Sequence, residues 1–188
     1  MLRLPPFKYL APQTISEAIG IKKEFGEKAI YSAGGTDLFP NMKRRQYTPQ
    51  ILISLKDIKE LRRIKFDPVS IGAGVSLYEL SENPEILKEY PALAKAASLV
   101  SSPQLRNMGT VGGNLCLDTR CNYYNQTYHW RKALGFCMKK DGEICWVALS
   151  SPKCLAVSSS DCAPVIIALD AEIYLIGSEG KRKILAAD

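Results

Sequence analysis

All six cysteines of this chain fall between Cys116 and Cys162, and four of them, Cys121, Cys137, Cys145 and Cys154, are separated by fifteen, seven and eight residues. Thiols gathered into one stretch of an otherwise cysteine-free sequence serve as disulfides, zinc ligands, iron-sulfur ligands or small apolar side chains. The opening Met1-Leu2-Arg3-Leu4-Pro5-Pro6 has no apolar core or cleavage site of a signal peptide, and no later apolar run is long enough to span a bilayer. These features predict a cytoplasmic chain with no membrane contact, where disulfides are rare. Four thiolates complete either a tetrahedral zinc site or a four-iron cluster. Structural zinc favours tight C-x2-4-C pairs, and these are absent, as is the common ferredoxin spacing. Spacing alone leaves both centres open.

Two glycine turns carry the second kind of chemistry. Ala33-Gly34-Gly35-Thr36-Asp37-Leu38 reads as a strand end running into a helix, and Gly109-Thr110-Val111-Gly112-Gly113-Asn114-Leu115 repeats the pattern. Without Cβ atoms the backbone turns sharply and approaches a ligand, while free N–H groups at a helix start, with the Thr36 hydroxyl, favour phosphate. Neither segment is G-x-G-x-x-G or G-x-x-x-x-G-K-[ST], which excludes the Rossmann and P-loop fingerprints. Two such turns suit a diphosphate held between two lobes, as a dinucleotide requires. A redox cofactor there gains from a one-electron neighbour, and this tilts the cysteines toward a cluster.

Other residues have plainer readings. His129, the single histidine, is expected to be a packed or partly exposed ring. Tyr123, Tyr124, Trp130 and Trp146 supply the cysteine stretch with a small core of its own and shield a metal centre from water. Asp161, ahead of Ala163-Pro164, is placed to cap a helix. Arg106 is expected to pair with a carboxylate or face a partner. No Ser-His-Asp set or paired catalytic carboxylates are present, so substrate chemistry is not expected on this chain.

The elements around these residues follow from local signals. Thr14-Ile15-Ser16-Glu17 has capping-box spacing ahead of an apolar stripe ending at Gly26, so a helix is expected there, followed by a strand at Ala29 to Ala33. A further helix near Asp37 and a strand over Gln50 to Leu55 complete an alternation that favours a small parallel sheet. Short strands at Leu61 to Phe66 and Val69 to Gly72 precede helices at Ser76-x-x-Glu79 and at Pro91 to Val100. Glu172 to Ile176 and Arg182 to Leu185 flank a Gly-Ser-Glu-Gly turn, a hairpin signal. In 188 residues, 46% hydrophobic and carrying a net charge of +6, there is room for one cored domain or two small lobes. The basic residues are spread as pairs without interleaved aromatics, which argues against nucleic acid.

Ala33-Gly34-Gly35-Thr36-Asp37-Leu38, Thr110-Val111-Gly112-Gly113-Asn114 and Ser160-Asp161-Cys162-Ala163-Pro164 together resemble the FAD-binding domain of molybdenum hydroxylase flavoprotein subunits, the family of xanthine and carbon monoxide dehydrogenases. The resemblance covers essentially the whole chain. It implies an α+β fold of the vanillyl-alcohol-oxidase/PCMH type, with a small N-terminal βαβ lobe at residues 1–56 and a larger mixed or antiparallel lobe at 57–188. The stretch at about 115–160 is an insertion relative to most members, and the family's C-terminal domain is absent. The insertion, with Asp118-Thr119-Arg120-Cys121-Asn122-Tyr123-Tyr124-Asn125-Gln126, looks like the 4-hydroxybenzoyl-CoA reductase β-subunit branch, whose added loop binds a [4Fe-4S] cluster.

By that similarity Cys121, Cys137, Cys145 and Cys154 are ligands, and Cys116 and Cys162 are bystanders. Tyr31, Ser32, Ala33, Gly34, Gly35, Thr36, Asp37 and Leu38 form one wall of the flavin-diphosphate site, Thr110, Val111, Gly112, Gly113 and Asn114 the other, and Asp161 contacts FAD nearer its ribityl chain. The implied partners are a molybdopterin catalytic subunit, a [2Fe-2S] subunit and ferredoxin as electron donor, in reductive dehydroxylation of an aromatic CoA thioester. The alternatives are a xanthine/CO dehydrogenase-type flavoprotein subunit without iron on this chain, and a non-redox binding module with a zinc-stapled loop.

Overall fold

The structure is a computed structural model that describes residues 2–188. The chain packs as two compact units, one of Met1–Pro6, Asp37–Thr48 and Leu117–Ser159, the other of Phe7–Thr36, Pro49–Cys116 and Ser160–Asp188.

In the larger unit the strands β1 (Lys8–Leu10), β2 (Ala29–Ser32) and β3 (Ile51–Ser54) form a parallel sheet in the order β1-β3-β2. All four residues of β3 are buried, the pattern of a central strand covered on both faces. Helix α1 (Ile15–Phe25) starts at Thr14, whose side chain accepts from the Glu17 N–H, and ends at Gly26, where φ is 53°. Its stripe joins Ala29, Ile51, Ile53 and Ile58 in one apolar core. The expected alternation of helix and strand is present. β1 is an addition the sequence pattern did not signal.

Beyond the sheet, β4 (Ile64–Lys65) and β5 (Ser70–Ile71) form an antiparallel pair. Four short helices follow, α3 (Leu77–Glu82), α4 (Pro84–Glu89), α5 (Pro91–Leu99) and α6 (Pro103–Met108). Ser76 and Glu79 close the capping box in both directions, at 3.0 and 2.9 Å. Val75, Leu77, Leu80, Ile86, Leu93, Ala97, Val111 and Cys162 make the second core. Arg106 does not meet a carboxylate; its Nη1 donates to the carbonyls of Val100 and Ser101 at 3.0 and 3.2 Å and ties down the α5–α6 connection. The hairpin of β6 (Glu172–Gly177) and β7 (Gly180–Leu185) is present as expected.

The smaller unit has little regular structure. Two one-and-a-half-turn helices, α2 (Leu38–Lys43) and a later one at Tyr128–Ala133, accompany irregular chain held by polar contacts. Gln46 Nε2 donates to the Tyr124 carbonyl at 2.6 Å, Arg120 and Val157 exchange backbone hydrogen bonds at 2.7 and 3.0 Å, and Lys140 donates to the Gln46 carbonyl. Among the described residues no helix is long and apolar enough to cross a membrane.

Two measurements test this packing. Ser76→Ala removes half of the capping box and is expected to lower unfolding free energy by about 1 kcal/mol. Burial, with the nearby Asp161 carboxylate, pushes the Cys162 thiol from 9.0 up to about 11. Between those pH values the folded chain holds more protons than the unfolded one, so stability falls as pH rises, by about 2–3 kcal/mol over the window. Denaturant unfolding at pH 8 and pH 11 should show a loss smaller by about 2 kcal/mol in Cys162→Ala than in the native chain, the remainder coming from phenols that folding also pushes up, Tyr47 foremost.

Candidate functional site

The first glycine turn follows β2, and Gly34 is where it meets the rest of its unit. A Cβ on Gly34 would lie 2.6 Å from the Met108 carbonyl carbon, closer still to its oxygen, and 3.1 Å from Gly109 Cα. Only a residue without a side chain allows that backbone approach. Gly35 has φ of 70°, which a β-carbon also disfavours. The two turns predicted from sequence are therefore brought together, backbone against backbone.

Their hydrogen bonding differs. Among the described residues nothing accepts from the backbone N–H groups of Ala33, Gly34, Gly35 or Thr36. In the second turn the Val111 N–H donates to Val75 at 2.9 Å, Gly112 to Ala73 at 2.8 Å, and Asn114 to Thr110 at 2.8 Å. Gly113 donates to Thr110 Oγ1 at 3.1 Å. Of the free amides expected over Thr110 to Asn114, those of Val111 to Asn114 are thus used internally, because residues 111–115 form a helical turn capped by Thr110. A Cβ on Gly112 would lie 2.7 Å from Ala73 Cβ, so this glycine serves close packing.

Around these turns Ser32, Gly35, Thr110, Val111 and Asn114 are buried, Ala33, Gly34, Thr36, Asp37, Leu38 and Gly112 half-buried, and Tyr31, Gly113 and Asp161 exposed. Tyr31 Oη reaches the Ala18 carbonyl at 3.4 Å, and burial pushes its phenol up. The Asp37 carboxylate pairs with Arg120 and accepts from Asn41 Nδ2 at 3.0 Å.

Asp161 does not cap the helix Ala163–Ala168. Ser160 Oγ accepts from the Ala163 N–H at 3.0 Å and donates to Asn114 Oδ1 at 2.8 Å, and Asn114 Oδ1 also accepts from the Cys162 N–H at 3.1 Å. A buried amide and hydroxyl, 46 residues apart in sequence, satisfy the helix start and leave the Asp161 carboxylate in solvent. Sequence reasoning missed Ser160, which stands two residues before the N-cap Cys162 and whose hydroxyl serves the Ala163 N–H; the nearer carboxylate obscured it.

In the smaller unit Cys121, Cys137, Cys145 and Cys154 all line one pocket, together with Tyr123, Tyr124, Trp146 and Val147. The pocket is tight, about 10 Å³. Local turns present the sulfurs: Cys121 N–H donates to Asn125 Oδ1 at 2.9 Å, the Cys137 carbonyl accepts from Lys140 and Gly142 at 2.9 and 3.1 Å, and Trp146 Nε1 donates to the Phe136 carbonyl. The N–H groups of Ala148 and then Leu155, aimed at Cys145, hold its thiol below the ordinary value against an opposing effect of burial. The Ala156 N–H lies 3.5 Å from Cys154 Sγ. Beside the pocket, burial pushes the Asp118 carboxyl up, but donation from Lys139 at 2.7 Å and from Tyr47 at 2.7 Å outweighs it and holds the carboxyl below its usual range. Among the described residues no three His, Cys, Asp or Glu side chains stand close enough to share a single metal ion. Trp130 and His129 are exposed and do not line the pocket; Cys116 is exposed and Cys162 sits in the apolar core.

A small parallel sheet, helices, antiparallel pairs and a tight glycine turn with unpaired amides make up an α+β fold, and comparison with known proteins gives its class. Residues 5–188 match the family model described as the FAD binding domain in molybdopterin dehydrogenase, and the chain belongs to that family. It is 40% identical over 113 residues to the carbon monoxide dehydrogenase medium chain of Hydrogenophaga pseudoflava, covering 59% of this chain and 39% of the relative. It is 33% identical over 191 residues to the aldehyde oxidoreductase FAD-binding subunit PaoB of Escherichia coli K12, covering 97% and 59%, a span that takes in the cysteine-bearing stretch. The solved structure of carbon monoxide dehydrogenase from Hydrogenophaga pseudoflava superposes with a TM-score of 0.73 at 30% identity, over 98% of this chain and 52% of that one. The chain thus spans roughly two fifths to three fifths of the length of these relatives.

Gly34→Ala is expected to cost on the order of 3 kcal/mol, since neither backbone partner can move aside. Asn114→Ala strips two buried donors of their acceptor and should cost about 2–3 kcal/mol, whereas Asp161→Asn should stay within about 0.5 kcal/mol. Urea unfolding of the three variants checks the order.

Proposed function

We propose that this chain binds FAD and passes electrons within a molybdenum-containing oxidoreductase complex, with a molybdopterin catalytic subunit and a [2Fe-2S] subunit as its partners in the cytoplasm. The observation that carries this reading is the family match over residues 5–188, joined to the row of unpaired amides at Ala33–Thr36. Those amides would hold the flavin diphosphate, as a concave run of backbone N–H groups holds anions generally. Tyr31, Ser32, Asp37 and Leu38 extend that wall, Thr110 to Asn114 supply the facing one chiefly by shape, and the exposed Asp161 carboxylate is available to a flavin hydroxyl. The lobes at residues 1–56 and 57–188 are the two sides of this flavin site. When bound, FAD supplies the exchange between two-electron and one-electron steps.

Of the particular complexes, a xanthine/CO dehydrogenase-type flavoprotein subunit has the better support, because the comparisons include carbon monoxide dehydrogenase by both sequence and structure. A 4-hydroxybenzoyl-CoA reductase-like complex fed by ferredoxin rests on the cysteine loop. One observation favours adding a [4Fe-4S] cluster to the flavin reading: all four predicted ligands line one pocket with three aromatic rings. Loading requires the side chains around this tight pocket to part.

Anaerobic purification with flavin, iron, sulfide and zinc analysis tests both levels. Flavin with about four irons and four sulfides per chain supports the cluster-bearing reading. Flavin without iron supports the plain dehydrogenase type. Colourless protein with one zinc per chain contradicts the redox reading altogether. In Cys137→Ser, iron should be lost while flavin content stays at the level of the native chain.

A further inference from the structure

We propose that the smaller unit holds a second ligand site, for a small phosphate-rich anion the size of a nucleoside di- or triphosphate, in the cleft lined by Arg3, Lys43, Arg45, Tyr128, Lys140 and Asp141. Its volume is about 650 Å³, inside the range of small-molecule sites and several times what a lone phosphate fills. Arg3, Lys43 and Arg45 line it against the Asp141 carboxylate, joined by Lys140, whose ammonium also donates to the Gln46 carbonyl. Among the described residues no carboxylate lies within salt-bridge distance of Arg3, Lys43, Arg45 or Lys140. Like charges converging on one cleft repel each other, and an entering polyanion relieves that repulsion.

An independent observation adds to this charge. Arg131 is 2% exposed, its guanidinium lies 5.8 Å from the Tyr124 and Phe136 ring centres, and its Nε and Nη1 have no hydrogen-bond partner. Its Nη2 donates to the Arg45 carbonyl at 3.3 Å and its Nη1 stands 3.9 Å from Asp141 Oδ2. The one lining carboxylate is therefore shared between a buried guanidinium and the cleft cations, which outnumber it. A nucleotide fits better than inorganic phosphate because Tyr128 adds an aromatic wall, held edge-on to His129 at 5.8 Å and 5.8 Å from Phe136, on which a flat base can rest. None of the cleft residues belongs to the proposed flavin wall.

Isothermal titration of the protein in saturating FAD, with ADP, ATP and inorganic pyrophosphate as probes, tests the site. One ADP per chain should bind, more tightly than pyrophosphate and more weakly as salt is added. Lys43→Glu, at an exposed position, and Lys140→Gln should each weaken ADP binding about tenfold, with flavin content and thermal midpoint of Lys43→Glu unchanged. Absence of saturable ADP binding at millimolar concentration, equal affinity for pyrophosphate and ADP, or unchanged ADP affinity in both variants would overturn the proposal. Capture of an acidic protein by this face without nucleotide binding would overturn it too, in favour of a docking surface.

Discussion

The contact on which the larger unit depends is backbone on backbone: Gly34 against the Met108 carbonyl and Gly109. A side chain at Gly34 would force apart the end of β2 and the end of α6. Gly109 in turn is fixed on both sides, its N–H donating to Leu105 at 2.6 Å and its carbonyl accepting from Leu77 at 2.9 Å. The turn at Ala33–Thr36 is thus pressed against a rigid neighbour while its own amides stay unpaired. Unpaired amides cost free energy wherever water cannot serve them, and an anion offsets that cost.

The two glycine turns look alike as sequence and do different physical work. The first keeps its amides open. The second spends them on its own helical turn and on the Ala73–Val75 segment, and Asn114 then uses its side-chain oxygen to tether Ser160 and Cys162. The first turn leaves its amides without protein acceptors; the second holds together the chain segments around it.

What could be read from sequence was whatever is decided locally. The Thr14 and Ser76 caps, the α1 stripe and the β6–β7 hairpin each carry their signal within a few residues, and each formed where expected. Lys8–Leu10 is too short to show a pattern and is a strand because it pairs with β3, more than forty residues away. Asp161 looked like a cap because it stands before Ala163-Pro164, but the competing Ser160–Asn114 bond lies outside any sequence window. The buried Arg131 and Gln46 were invisible for the same reason, since nothing in their neighbours announces that a polar side chain will be buried. The four cysteines that share a pocket were set apart from Cys116 and Cys162 by the family resemblance and not by any local signal, and neither the tightness of that pocket nor the cations of the same unit could be read from sequence.

The central claim is that the open amides of the first turn, and not those of the second, receive the flavin diphosphate. Amide resonances of isotope-labelled protein followed through an FAD titration test it most directly. The account predicts that the Ala33–Thr36 amides exchange rapidly without flavin, then shift and become protected on binding, while those of Val111–Asn114 are protected throughout. Protection of Ala33–Thr36 before flavin is added, with no response to it, would contradict the account.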